Sequence, residues 1–290
     1  MKRLQRATPL TDSQNLCVRL AAGCKPYIGL FRIRLVNSIQ YRAAALAGIS
    51  TQFAWGFMLI LAFMAFYESN PYAFPMTMQQ TVSFMWMQQA FMTLFFLWFY
   101  DYTIFESVES GQIAYDLVRP MDLYNRWFTT SVASRLARAA LRCAPILIVG
   151  SVLPHPFKLI WPGNLLQIAA FIFSMGLSLM VVVCIGMLVY VSSFFTIRST
   201  GTRAMVAIGG DFLAGSVIPI PFFPDALRRV VELSPFGAMQ NLPLRIFIGH
   251  VYGAELVRSM GLQMFWIVAL VAVGRFFMGR AIGRVIAQGG

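Results

Sequence analysis

Six apolar stretches, each near the ~20 helical residues that cross a bilayer's hydrocarbon core, dominate this chain and restrict what it can fold into. They run approximately over Ala43–Tyr67, Val82–Tyr100, Val132–Leu153, Leu165–Phe195, Ala204–Phe223 and Met260–Met278. With 58% of its 290 residues hydrophobic and 12% charged, the chain has too little polar surface to be a soluble domain; such a domain is about a quarter charged. The sequence predicts an all-α integral membrane protein of six transmembrane helices. The third stretch is the weakest, since Arg135, Arg138 and Arg142 occupy its start. At 100° per residue they share one face, from which they can snorkel together to the headgroups. The fourth is longer than a bilayer needs and is expected to tilt or protrude.

The formal charge is +12. No Lys/Arg tract interleaved with stacking aromatics is present, so nucleic acid is excluded as a partner. The cations flank the apolar stretches instead, where they set orientation. Of the 23 Lys and Arg, eighteen fall on the side of the N-terminal segment, the loop between spans two and three, the end of span four and the C-terminus. The remaining five are Lys158, Arg228, Arg229, Arg245 and Arg258. The positive-inside rule then places both termini in the cytoplasm, with a multi-pass chain in a bacterial inner membrane. Met1–Lys25 lacks the apolar run and cleavage site of a secretory signal. The organisation expected is a cytoplasmic leader at 1–26, an interfacial helix at 27–42 and a membrane domain at 43–290.

Three segments are not simple spans. In Tyr27–Arg42, Ile28, Phe31, Leu35 and Ile39 recur at helical spacing with Arg34, Asn37 and Tyr41 opposite, which predicts an amphipathic helix resting on the membrane. In the loop Asp101–Ser131, Glu106 and Glu109 are expected on a helical extension of span two, broken at Gly111. Gln112–Val118 then forms a short helix stopped by Pro120, and Asp122 caps the helix that follows. After span five, Pro219, Pro221 and Pro224 stop the chain, Asp225 caps a short helix in which Arg228 and Glu232 are spaced to pair, and Ser234-Pro235-Phe236 and Pro243 interrupt it again. That stretch is too apolar for a free loop and too interrupted for a span. It predicts a re-entrant segment between spans five and six.

Several chemistries are missing. The lysines Lys2, Lys25 and Lys158 do not follow a glycine, so no phosphate-binding G-x-x-x-x-G-K-[ST] loop exists and the chain does not hydrolyse ATP by that route. His155 and His250 stand alone and four scattered cysteines form no C-x-x-C pair; no metal site is expected. One enzymatic alternative remains. Intramembrane aspartyl proteases carry Tyr-Asp in one span and G-x-G-D in another. Here Tyr100-Asp101 ends span two and Gly209-Gly210-Asp211 lies in span five, although position 208 is Ile. Two carboxylates sharing a proton activate water. Otherwise Asp211 is an intramembrane polar group that pairs with an arginine, lines a pathway or packs between helices. A non-catalytic assembly protein is the other alternative.

The lead-in LFRIRLVNSIQYRAAALAGISTQFAWGFM, the loop core ESGQIAYDLVRPMDLY and the stretch FLAGSVIPIPFFPDALRRVVELSPFGAMQNLPLRIFIG together resemble the type-2 permeases of bacterial ATP-binding-cassette exporters. Within these, the specific resemblance is to the branch encoded with one ATPase and two related permeases. The resemblance implies a transport subunit that is not itself an enzyme. It moves an unidentified substrate out of the cytoplasm by alternating access. ATP and Mg are bound by a separate cytoplasmic ATP-binding subunit, and a second permease copy, identical or related, completes the pathway within membrane lipid. Carried onto this sequence, the family's coupling helix falls on Glu109, Gly111, Leu117, Arg119, Pro120 and Asp122. Its re-entrant outer segment falls on Pro219, Pro224, Pro235, Phe236, Pro243 and Gly249.

Overall fold

A computed structural model describes residues 25–37, 42–69, 74–196 and 198–283, with backbone alone for 42–47. The described residues are helical and contain no strand. Helix α1 covers 25–37 and α2 covers Arg42–Ser69. Then come α3 (Met78–Phe95), α4 (Tyr102–Glu109), α5 (Ile113–Leu117), α6 (Leu123–Val152), α7 (Leu165–Ser192) and α8 (Thr200–Leu213). A 3-10 turn at Ile220–Phe222 precedes α9 (Asp225–Leu233), α10 (Asn241–Phe247) and α11 (Gly253–Ile282). The leader at 1–24, together with Ile39 and Tyr41 of the expected interfacial helix, lies outside the described residues.

Three helices, α2 from Gly48 onward, α7 and α11, are long and apolar enough to cross a membrane. They pack as an antiparallel bundle with α3 and α6, chiefly through α7 on α11, α3 on α6 and α2 on α3. Trp86 of α3 is fully buried at the centre of one contact. Glycines admit it: a Cβ on Gly56 of α2 or Gly150 of α6 would stand 3.1 and 3.3 Å from the indole. Phe57 meets the same ring edge-on at 5.1 Å, and the indole N–H donates to Phe157 O at 2.8 Å. Burying an aromatic this large supplies apolar contact while its one donor stays satisfied.

Contacts sort the helix ends into two groups. At one end Tyr27 meets Asp122, Asp101 meets Tyr190, Glu109 meets Ser199, and Arg275 meets Asn125. At the other, Gln79 meets Lys158 and His155, Gln80 meets Ile248, and Gln167 meets Ile246 and Phe247. Among the described residues, Arg34, Arg119, Arg126, Arg203 and Arg275, all assigned to the cytoplasmic side from sequence, belong with the first end.

The structure corrects several expectations. Span two does not continue into the helix bearing Glu106 and Glu109: α3 kinks at Phe91 and stops at Phe95, and α4 starts afresh because the Asp101 carboxylate accepts the Thr103 N–H at 3.1 Å. Asp122 does cap α6, accepting from Asn125 N at 2.8 Å. The fifth stretch is not one helix; α8 ends at Leu213, and Gly215, at φ +80°, turns the chain before the 3-10 turn. Pro224, not Asp225, precedes α9, and Asp225 pairs with Arg228 at 2.7 Å while Glu232 reaches Arg245 on α10 at 2.8 Å. The expected Arg228–Glu232 pair is therefore replaced by two others. Pro243 does not break the chain: it lies in the first turn of α10, where its missing N–H has no intrahelical partner to lose. On α1 the half-buried side runs through Tyr27, Leu30, Phe31, Arg34 and Leu35, so Phe31 and Leu35 lie as expected while Ile28 is exposed. Arg34 faces Asp101 at 3.9 Å instead of lying opposite the packed face.

Candidate functional site

The break at 96–101 frees carbonyls at the end of α3 and an amide at Leu97, all of which need partners away from water. Arg135 of α6 supplies the donors. Its side chain does not snorkel outward; it is 3% exposed and turned into the bundle. Its Nη1 lies 2.8 Å from Phe96 O and 3.2–3.3 Å from the carbonyls of Thr93 and Leu94, and its Nη2 lies 3.1 Å from Phe99 O. A guanidinium also suits the negative end of the α3 dipole. Asp211 of α8 takes the Leu97 N–H at 2.8 Å. The Asp101 N–H donates to Tyr190 OH of α7 at 2.7 Å. Three helices thus hold one irregular turn.

Below that turn, α4 leans on the start of α8. Arg203 lies 4.5 Å from the centre of the Phe105 ring and 5.1 Å from that of Tyr102. Glu109 Oε1 accepts from Ser199 N at 3.0 Å and from Ser199 Oγ at 2.7 Å. A carboxylate there satisfies an orphan amide at the entry of α8. These bonds, with the Arg203 and Arg198 cations behind them, hold the Glu109 carboxyl below its ordinary range. Helix α8 therefore grips the 97–109 stretch at three levels: Leu97, Phe105 and Glu109.

Gly111, at φ +78°, reverses the chain between α4 and α5 with open space around it, so backbone conformation alone selects glycine. Helix α5 is five residues long and would not persist by itself. Its anchors come from elsewhere. Ile113 is buried and Leu117 packs on the core. Asp116 forms a two-pronged ion pair with Arg126 of α6, with Nη1 to Oδ1 at 2.8 Å, and Arg119 Nε lies 3.5 Å from the same carboxylate. This pairing holds the Asp116 carboxyl below its usual range. Tyr27 OH of α1 accepts the Asp122 N–H at 3.2 Å. Facing away from all this are Tyr115 and Val118, 77% and 83% exposed, with Arg119 and Pro120 exposed beside them.

The six loop residues singled out from sequence thus occupy one compact stretch in different positions. Arg119 and Pro120 face outward, Leu117 and Gly111 shape the turn, Asp122 caps α6, and the Glu109 carboxylate turns inward onto α8. Sequence reasoning missed Asp116, Arg126, Ser199 and Arg203. Ten residues separate the first two and ninety separate Glu109 from Ser199, so no local spacing signals either contact.

At the far end the interrupted stretch is built into the bundle. Gln167 Nε2 donates to the carbonyls of Ile246 and Phe247 at 2.8 and 2.9 Å, closing the end of α10 where Gly249 turns at φ +75°. Ser178 Oγ reaches Met239 O at 2.8 Å, Gln263 Nε2 reaches Ala238 O at 2.9 Å, and Gln88 Nε2 reaches Ser216 O at 2.6 Å. Phe236 packs against Gly210 of α8, where a Cβ would stand 3.0 Å from its ring. Pro219 and Pro224 flank the 3-10 turn, and Pro235 lies in the turn after α9.

The arrangement does not favour acid–base chemistry between Asp101 and Asp211. Asp101 Oδ1 is taken by the N–H and hydroxyl of Thr103, Asp211 Oδ1 by the Leu97 N–H, and the two carboxyls share no hydrogen bond among the described residues. A proton-sharing pair needs them in direct contact.

No curated protein matches this chain. The family model described as ABC-2 family transporter protein matches residues 49–289, which includes the broken α3, the α4–α5 turn and the whole far-end segment. That match covers most of the chain and implies a transport membrane protein that works with an ATP-binding subunit. The chain belongs to the ABC-2 transporter family.

Proposed function

We propose that this chain is the permease subunit of an exporter, crossing the membrane six times and moved by an ATP-binding subunit that docks on α5. The crossings are α2, α3 with its broken end, α6, α7, α8 with the turn after it, and α11. Their alternation between two ends, with the cations gathered at one, supports both termini lying in the cytoplasm. The observation that carries the reading is the way α5 is mounted: a helix too short to stand alone is anchored by Ile113, Leu117 and the Asp116–Arg126 pair and leaves Tyr115, Val118 and Arg119 exposed. Exposed apolar side chains beside a cation on a rigid support suit a mechanical contact with a partner.

Force applied there has a defined route. Helix α5 is joined through the Gly111 turn to α4, which is tied to the start of α8 by Glu109 and Arg203; Asp211 on the same helix is tied to Leu97. A push on α5 moves α8 against α3, which is the relative motion alternating access requires. ATP and Mg sit on the partner, and a second permease copy completes the pathway. Residues 214–249 form a re-entrant plug on the outer side. Ser178 lies thirteen residues into α7, ~20 Å along its axis, so the backbone of Ala238 and Met239 beside it reaches bilayer depth. Irregular backbone at such depth must be buried in protein, and the Gln and Ser donors meet that need.

Affinity purification at native expression tests the reading. An ATP-binding subunit co-purifies, and Val118→Glu with Arg119→Glu weakens that association roughly tenfold, about 1.4 kcal/mol, while insertion is unchanged. Recovery of the chain with no nucleotide-binding partner refutes it.

A further inference from the structure

Helix α6 carries two more arginines whose surroundings differ from those of Arg135. Its thirty residues span ~45 Å, and its far end at Val152 lies by Trp161, whose indole donates to Ser151 Oγ at 2.8 Å. An interfacial tryptophan places the membrane boundary near this level. Arg142 is ten residues below Val152 and Arg138 fourteen, or ~15 and ~21 Å down the axis. Both guanidinium attachment points therefore lie inside a ~30 Å hydrocarbon layer. One helical turn apart, they present their charges on one face.

Neither has an anionic counterpart among the described residues. Among the described residues, neither forms an ion pair or a hydrogen bond; Arg138 has only the Phe99 ring, 5.8 Å away. Arg142 lies face-on over Gly48 of α2, where a Cβ would stand 2.7 Å from its Cζ and 2.8 and 2.9 Å from Nη2 and Nη1. Stacking on its face leaves its edge N–H donors unspent. Both residues are half-buried, so neither head is enclosed by the packed core as that of Arg135 is. Arg135 shows what this fold does with an arginine it uses structurally: it surrounds the head with carbonyls. Two adjacent, unpaired guanidiniums within the membrane form a site waiting for a counter-charge.

We infer that Arg138 and Arg142 form a binding site for a phosphate-type oxyanion at the α6–α2 face, inside the bilayer's hydrocarbon span. Planar guanidinium forks match tetrahedral oxyanions bidentately, and two of them one turn apart embrace a single phosphate group. The occupant is either a phospholipid headgroup drawn into the protein or a free phosphate-bearing solute in a hydrated pathway. The site rests on the six-crossing reading, because only a membrane-spanning α6 puts these cations at that depth.

The test uses the full chain, with its co-purifying subunits, in nanodiscs. One arm counts phosphatidylglycerol retained from mixed phosphatidylglycerol–phosphatidylcholine discs by native mass spectrometry; the other titrates inorganic phosphate into pure phosphatidylcholine discs. The wild type is expected to retain phosphatidylglycerol or to bind phosphate, and the arm that responds names the source. Arg138→Gln with Arg142→Gln should lower that binding at least about tenfold, and the paired Arg→Lys variant should restore much of it. Equal binding by wild type and the double Gln variant, or none by wild type in either arm, overturns the proposal. Cysteines introduced by Asn125→Cys and Val152→Cys separate the two readings. Labelling from opposite sides with no anion binding removes only this site; labelling from one side removes the six-crossing permease as well.

Discussion

Replacing Arg135 by leucine isolates what holds the broken end of α3. The guanidinium makes two short contacts, to Phe96 O at 2.8 Å and Phe99 O at 3.1 Å, and two longer ones that share Nη1. Hydrogen bonds from a charged donor are worth roughly 1.5–3 kcal/mol each, so the short pair amounts to roughly 3–6 kcal/mol gross. Leucine also removes a buried charge, which gives back part of that sum. The carbonyls of Thr93 and Leu94 that it orphans are buried, and a net loss of about 2–4 kcal/mol results. Arg135→Lys offers one ammonium that cannot bridge both carbonyls, and about half the loss is expected. The assay is denaturant unfolding of the detergent-purified chain, combined with hydrogen exchange at the amides of 97–105. Arg135→Leu should lower the unfolding midpoint and speed exchange at Leu97 and Asp101 ahead of the rest of α3. Wild-type midpoint and exchange in this variant would refute the assignment, since the break would then hold itself.

Gln263→Leu removes the donor to Ala238 O and the bond to Ser178 Oγ, both buried. A loss of about 2–3 kcal/mol in unfolding free energy is expected, with proteolysis of the folded chain appearing first in 234–241. The loop contacts should also respond to pH in a definite direction. Glu109 and Asp116 both have folded-state values below the ordinary carboxylate range, so the stability they add is complete above that range and lost as pH falls through the depressed values. Association with the ATP-binding subunit should therefore be flat from pH 7 down to about 5 and weaken only in stronger acid; weakening already at pH 6 would contradict the geometry.

The bundle was legible because lipid enforces it. A stretch with no polar partner must be helical, and cations that cannot be buried unpaired mark its ends. That logic recovers α2 and α7 closely and finds α11, which begins seven residues earlier and ends four later than the expected Met260–Met278. It over-extended α3 and α8 for one shared reason: hydropathy records whether side chains are apolar, not whether the backbone stays helical. Phe96–Tyr100 and Val217–Phe223 contain no charged or amide side chain, yet neither is α-helical. What permits the irregularity is polar side chains sent from other helices: Arg135, Asp211 and Tyr190 to the first, Gln88 and Gln240 to the backbone leading into the second. Each of these reads as an anomaly within its own segment. Together they follow one rule, that a polar residue inside an apolar helix implies free backbone groups or a ligand nearby. Applied to α6, the rule explains Arg135 by the carbonyls of 93–99. Among the described residues it leaves Arg138 and Arg142 without a backbone to serve, and for that physical reason they belong to binding rather than to the fold.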